Sequence, residues 1–248
     1  MALHFIAEPW HLPANASIHG LALDHHLLLN LWIVAALFAL SHLILLLGLV
    51  LRRTSAPRNT WRVEYLPLAA ITFLFIALAA QAERLWADAR YTGADPGALQ
   101  VEVTAMQFAW YFRYPGTDAT FAITRPQLAD PATGNPVGID PSDPHAADDF
   151  VTTELVLPAH REVDLTLRAQ DVLHGFSIPQ MRLQQTILPG QPIHVHFTPT
   201  TPGTYAILCT QLCGTGHFRM NANLRVLSPA DFYAWLAAKQ SAQKAAQS

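Results

Sequence analysis

The stretch Cys209–Met220 reads CTQLCGTGHFRM, and it contains both cysteines of this 248-residue chain. The second cysteine, Cys213, is followed by His217 four residues later, and Met220 comes three residues after that histidine. Thiolate, imidazole and thioether groups are soft or borderline donors, and together they suit copper better than a hard cation. This stretch therefore predicts a copper site.

A single blue-copper ion would use one cysteine, two histidines and a weak axial methionine. Cys213, His217 and Met220 have the loop spacing of such a site, and His174, in the upstream sequence DVLHGF, is a candidate second histidine. Cys209 is then one thiolate too many for a mononuclear site. Two thiolates beside two imidazoles can instead bridge two copper ions.

Two other interpretations of the cysteine pair stay open at this point. Two cysteines outside the cytoplasm can form a disulfide, and a set of two cysteines and two histidines can bind zinc. Neither interpretation accounts for Met220 three residues after His217, or for the combination of this motif with His174 and a membrane anchor.

The spacing Cys-x3-Cys-x3-His-x2-Met, preceded by DVLH at residues 171–174, resembles the binuclear copper (CuA) centre of the cytochrome c oxidase subunit II family. The resemblance implies a ligand set for two copper ions. Its members are Cys209 and Cys213 as bridges, His174 and Met220 on one copper, and His217 with the backbone carbonyl of Gln211 on the other.

Composition points to a membrane protein. Hydrophobic residues make up 51% of the chain and charged residues only 13%, which is too apolar for a wholly soluble protein of this length. Membrane spans explain this composition. The net charge of −3 gives no sign of nucleic-acid binding. The sequence has no Cys-x-x-Cys-His motif for haem attachment, so any haem that exchanges electrons with it belongs to another chain.

Two apolar runs, residues 27–51 and 66–82, are candidate membrane-spanning helices. No Lys or Arg precedes the first run, whereas four arginines lie between the runs: Arg52, Arg53, Arg58 and Arg62. The positive-inside rule therefore places this connection in the cytoplasm, with both termini on the outer, periplasmic side of a bacterial-type inner membrane. We expect residues 1–26 to form an exposed outer tail. Residues 27–90 should form a transmembrane helical hairpin that packs against a partner membrane protein or lipid.

From Leu99 the pattern changes to short strands separated by turns, for example at Ile193–Phe197, and this predicts a β-sandwich over residues 91–228. The resemblance makes it a cupredoxin sandwich that carries the CuA centre. Ser228 and Pro229 suit a helix start, so residues 229–248 are predicted to form a C-terminal helix and tail. The expected fold class is a membrane-anchored all-β protein, with a two-helix transmembrane hairpin, a cupredoxin β-sandwich and a short C-terminal helix.

Residues 125–150, rich in Pro, Asp and Gly, are expected to form a solvated loop.

The resemblance implies roles for residues outside the ligand set. Phe108 and Trp110 lie in the segment that receives electrons in the family, although Phe108 stands where the family has tryptophan. Asp171, three residues before His174, is a candidate to support that histidine or to dock a donor. Glu64 lies near the position of a family glutamate that helps to admit protons to subunit I, but the local order of Glu, Trp and Pro differs here.

Gln211 lies between the two cysteines, where the family commonly has glutamate. Its backbone carbonyl can still serve the copper centre. A neutral amide is a weaker Mg²⁺ ligand than a carboxylate. The sequence therefore argues against the family's Mg²⁺ site at the boundary with subunit I.

The resulting hypothesis is subunit II of a respiratory haem-copper oxygen reductase. Such a subunit accepts single electrons from cytochrome c or another one-electron donor and passes them to haem in subunit I, in a complex that also contains subunit III. A quinol oxidase subunit would lack the two cysteines. Two alternatives stay open: the small subunit of a nitric oxide reductase with the same copper centre, and a membrane-anchored copper carrier or sensor that holds copper loosely.

Overall fold

The computed structural model describes residues 12–51 and 61–247, without the side chains of residues 244, 246 and 247. The chain forms two compact units. One unit is the helical segment Leu21–Thr92, and the other contains Gly93–Ser248 together with the N-terminal segment that ends at Gly20.

The helical unit contains two long helices, α1 (Gly20–Leu51) and α2 (Trp61–Arg90). Both are long and apolar enough to cross a membrane, and at 1.5 Å per residue they measure about 48 Å and about 45 Å. Helix α1 begins seven residues earlier than the predicted span, and α2 begins five residues before its apolar run and contains Pro67. The three arginines that precede residue 60 lie outside the described residues, so the cytoplasmic connection stays a prediction.

The second unit is a sandwich of two five-stranded sheets, which confirms the predicted cupredoxin-like architecture. The first sheet has the order β3-β2-β1-β5-β8, and the second has the order β4-β10-β9-β6-β7. The strands of the first sheet are β1 (Leu99–Met106), β2 (Ala109–Tyr114), β3 (Phe150–Thr152), β5 (Val163–Ala169) and β8 (Ile193–Phe197). Those of the second are β4 (Leu155–Pro158), β6 (His174–Ile178), β7 (Leu183–Ile187), β9 (Gly203–Cys209) and β10 (Asn221–Leu227).

The core lies between the sheets, where side chains from both inner faces meet. Val103, Leu165 and Phe112 of the first sheet and Phe176 and Ile207 of the second have no exposed surface. Strands β1 and β5 pair in parallel, with Val103 opposite Leu167, while β1 and β2 form an antiparallel hairpin. Burial alternates along β7, β8 and β10, as a period-two pattern predicts. Strands β1, β4, β5 and β6 are instead buried along most of their length.

Residues 115–149 form a covering loop over the first sheet. The predicted solvated loop over residues 125–150 is exposed along much of its length, and it is corrected at the positions that are buried. Val137, Asp140 and Asp149 are buried. Arg125 donates to Asp140 at 2.5 Å, and this hydrogen bond, with others from Ser142, lowers the pKa of Asp140 to about 2. Three short 3₁₀ helices occur in this segment, at Pro126–Leu128, Pro131–Thr133 and Pro144–Ala147.

A buried arginine fastens this covering to the sheet. Arg113 of β2 is 1% exposed, and its Nη1 donates to Glu102 Oε2 of β1 at 2.8 Å. Its Nε donates to Asp149 Oδ2 at 2.9 Å, and its Nη2 donates to the carbonyl of Ala122 at 2.6 Å. One guanidinium therefore joins two strands to both ends of the covering segment.

The N-terminal segment before α1 pairs with the sandwich, which corrects the prediction of an exposed tail over residues 1–26. Ala16 and Ser17 are each 2% exposed. The N–H of Ala16 donates to the carbonyl of Gln180 at 2.9 Å, and the N–H of Thr200 donates to the carbonyl of Ala16 at 2.8 Å. Residues 1–11 of the predicted tail lie outside the described residues.

The C-terminal helix α3 (Pro229–Gln247) forms as predicted. Ser228 caps it, because its Oγ accepts from the N–H of Asp231 at 3.2 Å and donates to the Asp231 carboxylate at 2.6 Å. Phe232 is fully buried and its ring lies 5.8 Å from that of Trp235, so this face of α3 seals one edge of the sandwich.

Replacing Arg113 with methionine should lower the free energy of unfolding by about 3–5 kcal/mol, because Glu102 and Asp149 would stay buried without their counter-charge. Arg168→Met is the matched control. The Arg168 side chain is 46% exposed and lies 3.3 Å from Glu102, so its loss should cost only about 0–1 kcal/mol. Chemical denaturation of the full-length chain in detergent, followed by tryptophan fluorescence, measures both. Equal losses in the two variants would contradict this account.

Candidate metal centre

Strand ends of the second sheet bring the predicted ligands together. His174 is the first residue of β6, Cys209 is the last residue of β9, and Met220 directly precedes β10. Phe176 pairs with Cys209 across β6 and β9, and the N–H of Cys209 donates to the carbonyl of Met220 at 3.2 Å. These backbone pairings place His174 at the same end of the sandwich as Cys209 and Met220, which follow it by 35 and 46 positions in the sequence.

The donor atoms lie close together in pairs. Cys209 Sγ is 3.8 Å from Cys213 Sγ, 4.0 Å from His174 Nδ1 and 3.2 Å from the carbonyl oxygen of Gln211. Cys213 Sγ is 3.7 Å from His217 Nδ1 and 3.7 Å from Met220 Sδ. Each cysteine sulfur therefore lies near the other cysteine sulfur and near two further donors.

These separations fit a metal between the donors. Thiolate and imidazole ligands bind a borderline metal at about 2.3 Å and about 2.0–2.1 Å, so two ligands at a tetrahedral angle lie roughly 3.5–3.8 Å apart. The distances at Cys209 and Cys213 lie in or near this range. A disulfide would require a sulfur–sulfur distance of about 2.05 Å, and both cysteines are free thiols. The donor atoms of His174, Cys209 and Cys213 all lie within 4.8 Å of one another.

The site is largely shielded from solvent. His174 has no exposed surface, Met220 is 2% exposed and Cys213 is 4% exposed, whereas Cys209 is half-buried. Burial raises the pKa of Cys213 to about 11, and the neighbouring Cys209 acts in the same direction. Without a metal, Cys213 is therefore a neutral thiol at physiological pH, so metal binding must release its proton.

Asp171 orients His174. The carboxylate Oδ1 of Asp171 lies 2.9 Å from His174 Nε2, on the side of the ring that faces away from the sulfurs. With a proton on Nε2, the Nδ1 lone pair is free to bind a metal beside Cys209. Burial alone would raise the pKa of Asp171, but hydrogen bonds from His174 and from the N–H groups of Gln107 and Val172 lower it. A charged carboxylate thus lies behind the imidazole, a placement compatible with the predicted supporting role of Asp171, which stays a prediction.

Phe108 packs directly on the ligand loop. A Cβ added at Gly216 would lie 2.6 Å from Phe108 Cγ, and one added at Gly214 would lie 3.1 Å from its ring carbons. Glycines at these two positions therefore allow the half-buried ring to lie against the backbone between Cys213 and His217. These glycines were not among the predicted site residues, although the pattern Gly-x-Gly between two candidate ligands indicates such a close approach.

Trp110 lies deeper than Phe108. It is 2% exposed, and its ring is 6.1 Å from that of His174 and 5.3 Å from that of Phe176, both edge-on. This burial excludes direct contact between Trp110 and an external donor protein. Of the two aromatic residues predicted to receive electrons, only Phe108 reaches the surface.

A family model for the periplasmic domain of cytochrome c oxidase subunit II matches residues 101–226, which is just over half of the chain. The chain belongs to the cytochrome c oxidase subunit II family. This family supplies one subunit of haem-copper cytochrome c oxidase, an oxidoreductase complex, and its members typically bind copper. The resemblance inferred from the motif is thus confirmed at the level of the family.

Curated relatives give the same family. The chain is 36% identical over 141 residues to the alternative cytochrome c oxidase subunit 2 of Bradyrhizobium diazoefficiens, and this match covers 56% of the chain and 50% of the relative. It is 32% identical over 155 residues to cytochrome c oxidase subunit 2 of Synechocystis sp., covering 62% of the chain and 37% of the relative. The chain thus spans half or less of the length of these subunit II relatives.

Two solved structures show a likeness to this chain. One is the periplasmic domain of subunit II of cytochrome oxidase from Bradyrhizobium japonicum, with a TM-score of 0.42 and 21% identity, covering 59% of this chain and 96% of that chain. Another is a haem-copper terminal oxidase dimer, with a TM-score of 0.41 and 21% identity, covering 65% of this chain and 96% of the matched chain.

Two further predicted site residues, Glu64 and Gln211, contribute no side chain to the donor cluster described above. Glu64 is an exposed residue in the first turn of α2, in the helical unit. Gln211 is exposed and contacts Cys209 through its carbonyl oxygen. The position of Glu64 does not test its predicted role in proton uptake. The position of Gln211 does not test the predicted loss of the family's Mg²⁺ site.

Gly216→Ala should disrupt the centre locally, because the new methyl group would overlap the base of the Phe108 ring and force the ring or the loop to move. We expect a loss of about 1–3 kcal/mol in the stability of the sandwich. Gly97→Ala is the matched control, since an added Cβ there meets no atom within 4 Å. The melting temperatures of the two variants, read by circular dichroism on the full-length chain, provide the comparison. A Gly216→Ala melting temperature no lower than that of the control would argue against close packing of Phe108 on the loop.

Proposed function

We propose that this chain is subunit II of a respiratory haem-copper oxygen reductase, and that it accepts electrons at a binuclear copper centre. The observation that carries the proposal is the pair of free thiols 3.8 Å apart, each with two further donors beside it. A mononuclear blue-copper site would leave one of these thiols without a role, and a mononuclear site with two cysteines and two histidines would leave Met220 without one.

The arrangement suits two metals because each sulfur has one neighbour from each proposed ligand pair. Beside Cys209 lie His174 and the Gln211 carbonyl, and beside Cys213 lie Met220 and His217. The resemblance to the family assigns His174 and Met220 to one copper, and His217 with the Gln211 carbonyl to the other, and these distances are compatible with that assignment. Such a centre, when bound, supplies a one-electron carrier whose charge is shared between two metals.

The protein's own contribution is to keep the donors fixed. His174, Cys209 and Met220 are held by the pairing of β6, β9 and β10, and strands of a sandwich move little. Asp171 holds the imidazole of His174 in one tautomer. The burial of Cys213 and Met220 keeps water away. A donor set that does not rearrange lowers the energetic cost of each electron transfer.

Phe108 is our proposed contact for the electron donor, with Trp110 as an interior relay toward His174. Phe108 is half-buried and lies on the ligand loop, so a donor that covers it comes close to the centre without touching a ligand. A cytochrome c or another one-electron carrier fits this role.

We also propose that the two helices lie in a membrane and that the chain assembles with other subunits. The large apolar side chains of α1 and α2 are exposed, for example Trp32 at 73% and Phe73 at 75%, and such surfaces need lipid or another membrane protein. The haem that receives the electrons would lie in subunit I, with subunit III as a further partner. We place both helices in the inner membrane and the sandwich on its outer side, and Glu64 would serve proton uptake at the other side.

The proteins that co-purify with this chain distinguish an oxygen reductase from a nitric oxide reductase. An affinity-tagged copy purified from its native membranes in mild detergent should bring down a haem-containing complex that consumes oxygen with reduced cytochrome c. A complex that reduces nitric oxide instead would support the alternative small subunit. A chain recovered without haem and with readily lost copper would support a carrier or sensor.

Cys209→Ser should reduce the copper content of the full-length chain from two ions to at most one, because the bridging thiolate is lost. Thr204→Ala, an exposed change on the same strand, is the control and should keep both ions. Metal analysis after removal of free copper measures the ratio of copper to protein. Equal copper contents in Cys209→Ser and wild type would rule out the bridging role.

Phe108→Ala should slow electron transfer from the donor by roughly five- to thirty-fold, the effect of about 1–2 kcal/mol expected when a central contact residue is truncated. Phe108→Trp should retain rapid transfer, since it keeps an aromatic ring over the loop. Stopped-flow reduction of the copper-loaded chain by reduced cytochrome c gives the rates. An unchanged rate in Phe108→Ala, with an unchanged copper content, would remove Phe108 from the path.

A further inference from the structure

Gln107 lies where the two sheets of the sandwich come together at the metal centre. It follows Met106, the last residue of β1, and with Phe108 it forms the tip of the β1–β2 hairpin. The hairpin belongs to the first sheet, whereas the ligands lie at strand ends of the second sheet. Through Gln107, the first sheet can therefore make contacts that position the ligand loops of the second sheet.

The backbone of Gln107 is tied to the His174 side of the centre. Its N–H donates to Asp171 Oδ2 at 2.7 Å, and the other oxygen of that carboxylate lies 2.9 Å from His174 Nε2. The carboxylate is thereby held from both sides. A movement of the hairpin tip would be passed through Asp171 to the imidazole.

The side chain of Gln107 is tied to the cysteine loop. Its Nε2 donates to the backbone carbonyl of Cys213 at 2.5 Å, a contact between residues 106 positions apart. A Cβ added at Gly214 would lie 2.7 Å from Gln107 Nε2, so the amide needs the glycine that follows the cysteine. Gly214 has a φ of +139°, which side-chain-bearing residues rarely adopt.

We infer that Gln107 is a positioning residue for the proposed copper centre, one that sets the separation between the His174 segment and the Cys213 loop. This inference rests on the proposed copper function and deepens it. Gln107 touches no ligand atom itself. It bridges two segments that reach the centre from different parts of the chain, because its backbone holds Asp171 and its amide holds the Cys213 peptide.

The side-chain bond can be removed without changing the size of the residue. Methionine has a similar length but no N–H, so Gln107→Met deletes the donor and keeps the backbone bond to Asp171. Glutamate is isosteric, but its carboxylate would face the Cys213 carbonyl as a second acceptor. Loss of a contact that orients metal ligands typically weakens metal binding by about 10- to 100-fold.

The test compares the full-length copper-loaded chain with Gln107→Met, Gln107→Glu and the control Gln185→Met. Gln185 also donates its amide to a backbone carbonyl, that of Thr186 at 2.9 Å, but it lies on β7. The rate of copper loss to an excess of chelator and the electron paramagnetic resonance spectrum are recorded for each. The melting temperature of each metal-free chain shows whether the variant folds.

We expect copper loss about 10- to 100-fold faster in both Gln107 variants, an altered copper hyperfine pattern, and wild-type behaviour in Gln185→Met. Rates and spectra that match wild type in Gln107→Met would overturn the inference while leaving the copper function intact. Equal acceleration in Gln185→Met would also overturn it, since the effect would then not be specific to Gln107. A wild-type chain that binds no pair of copper ions would instead overturn the proposed function, and this inference with it.

Discussion

The approach of two thiols to within 3.8 Å of each other is the constraint on which the functional end of this protein depends. Two thiolates that close repel each other, and burial raises the pKa of Cys213 to about 11, so the metal-free chain keeps a proton there. A cation between the two cysteine sulfurs removes the repulsion between the thiolates. The fold therefore holds together thiols that lose their protons and become negative donors when a cation binds between them.

The sandwich provides the stiffness that such an arrangement needs. Cys209 and Met220 are joined by a backbone hydrogen bond, and His174 lies on the strand next to Cys209. Behind the ligands, Trp110 and Phe176 pack edge-on and fill the end of the core. The opposite sheet takes part through the β1–β2 hairpin, which rests on the ligand loop at Phe108. Neither sheet alone determines the geometry of the site.

Local patterns in the sequence predicted most of the architecture and pointed to the candidate ligands that the structure brings together. Five of the six proposed ligands lie within twelve consecutive residues, so their spacing is visible without a fold, and the two apolar runs indicate helices by length alone. The failures concern contacts between distant residues. The pairing of Ala16 with Thr200 cannot be read from composition. The composition of the covering segment predicted a solvated loop. Its buried positions depend on contacts with Arg113, and the sequence pattern shows Arg113 only as a residue of a β-strand.

The most direct test of the account is the electron paramagnetic resonance spectrum of the wild-type, full-length chain loaded with copper in detergent. We predict two copper ions per chain and a hyperfine pattern from one unpaired electron shared equally by both. A pattern from a single copper nucleus, with one ion bound per chain, would contradict it and would point to a mononuclear copper protein in which Cys209 has no part in binding.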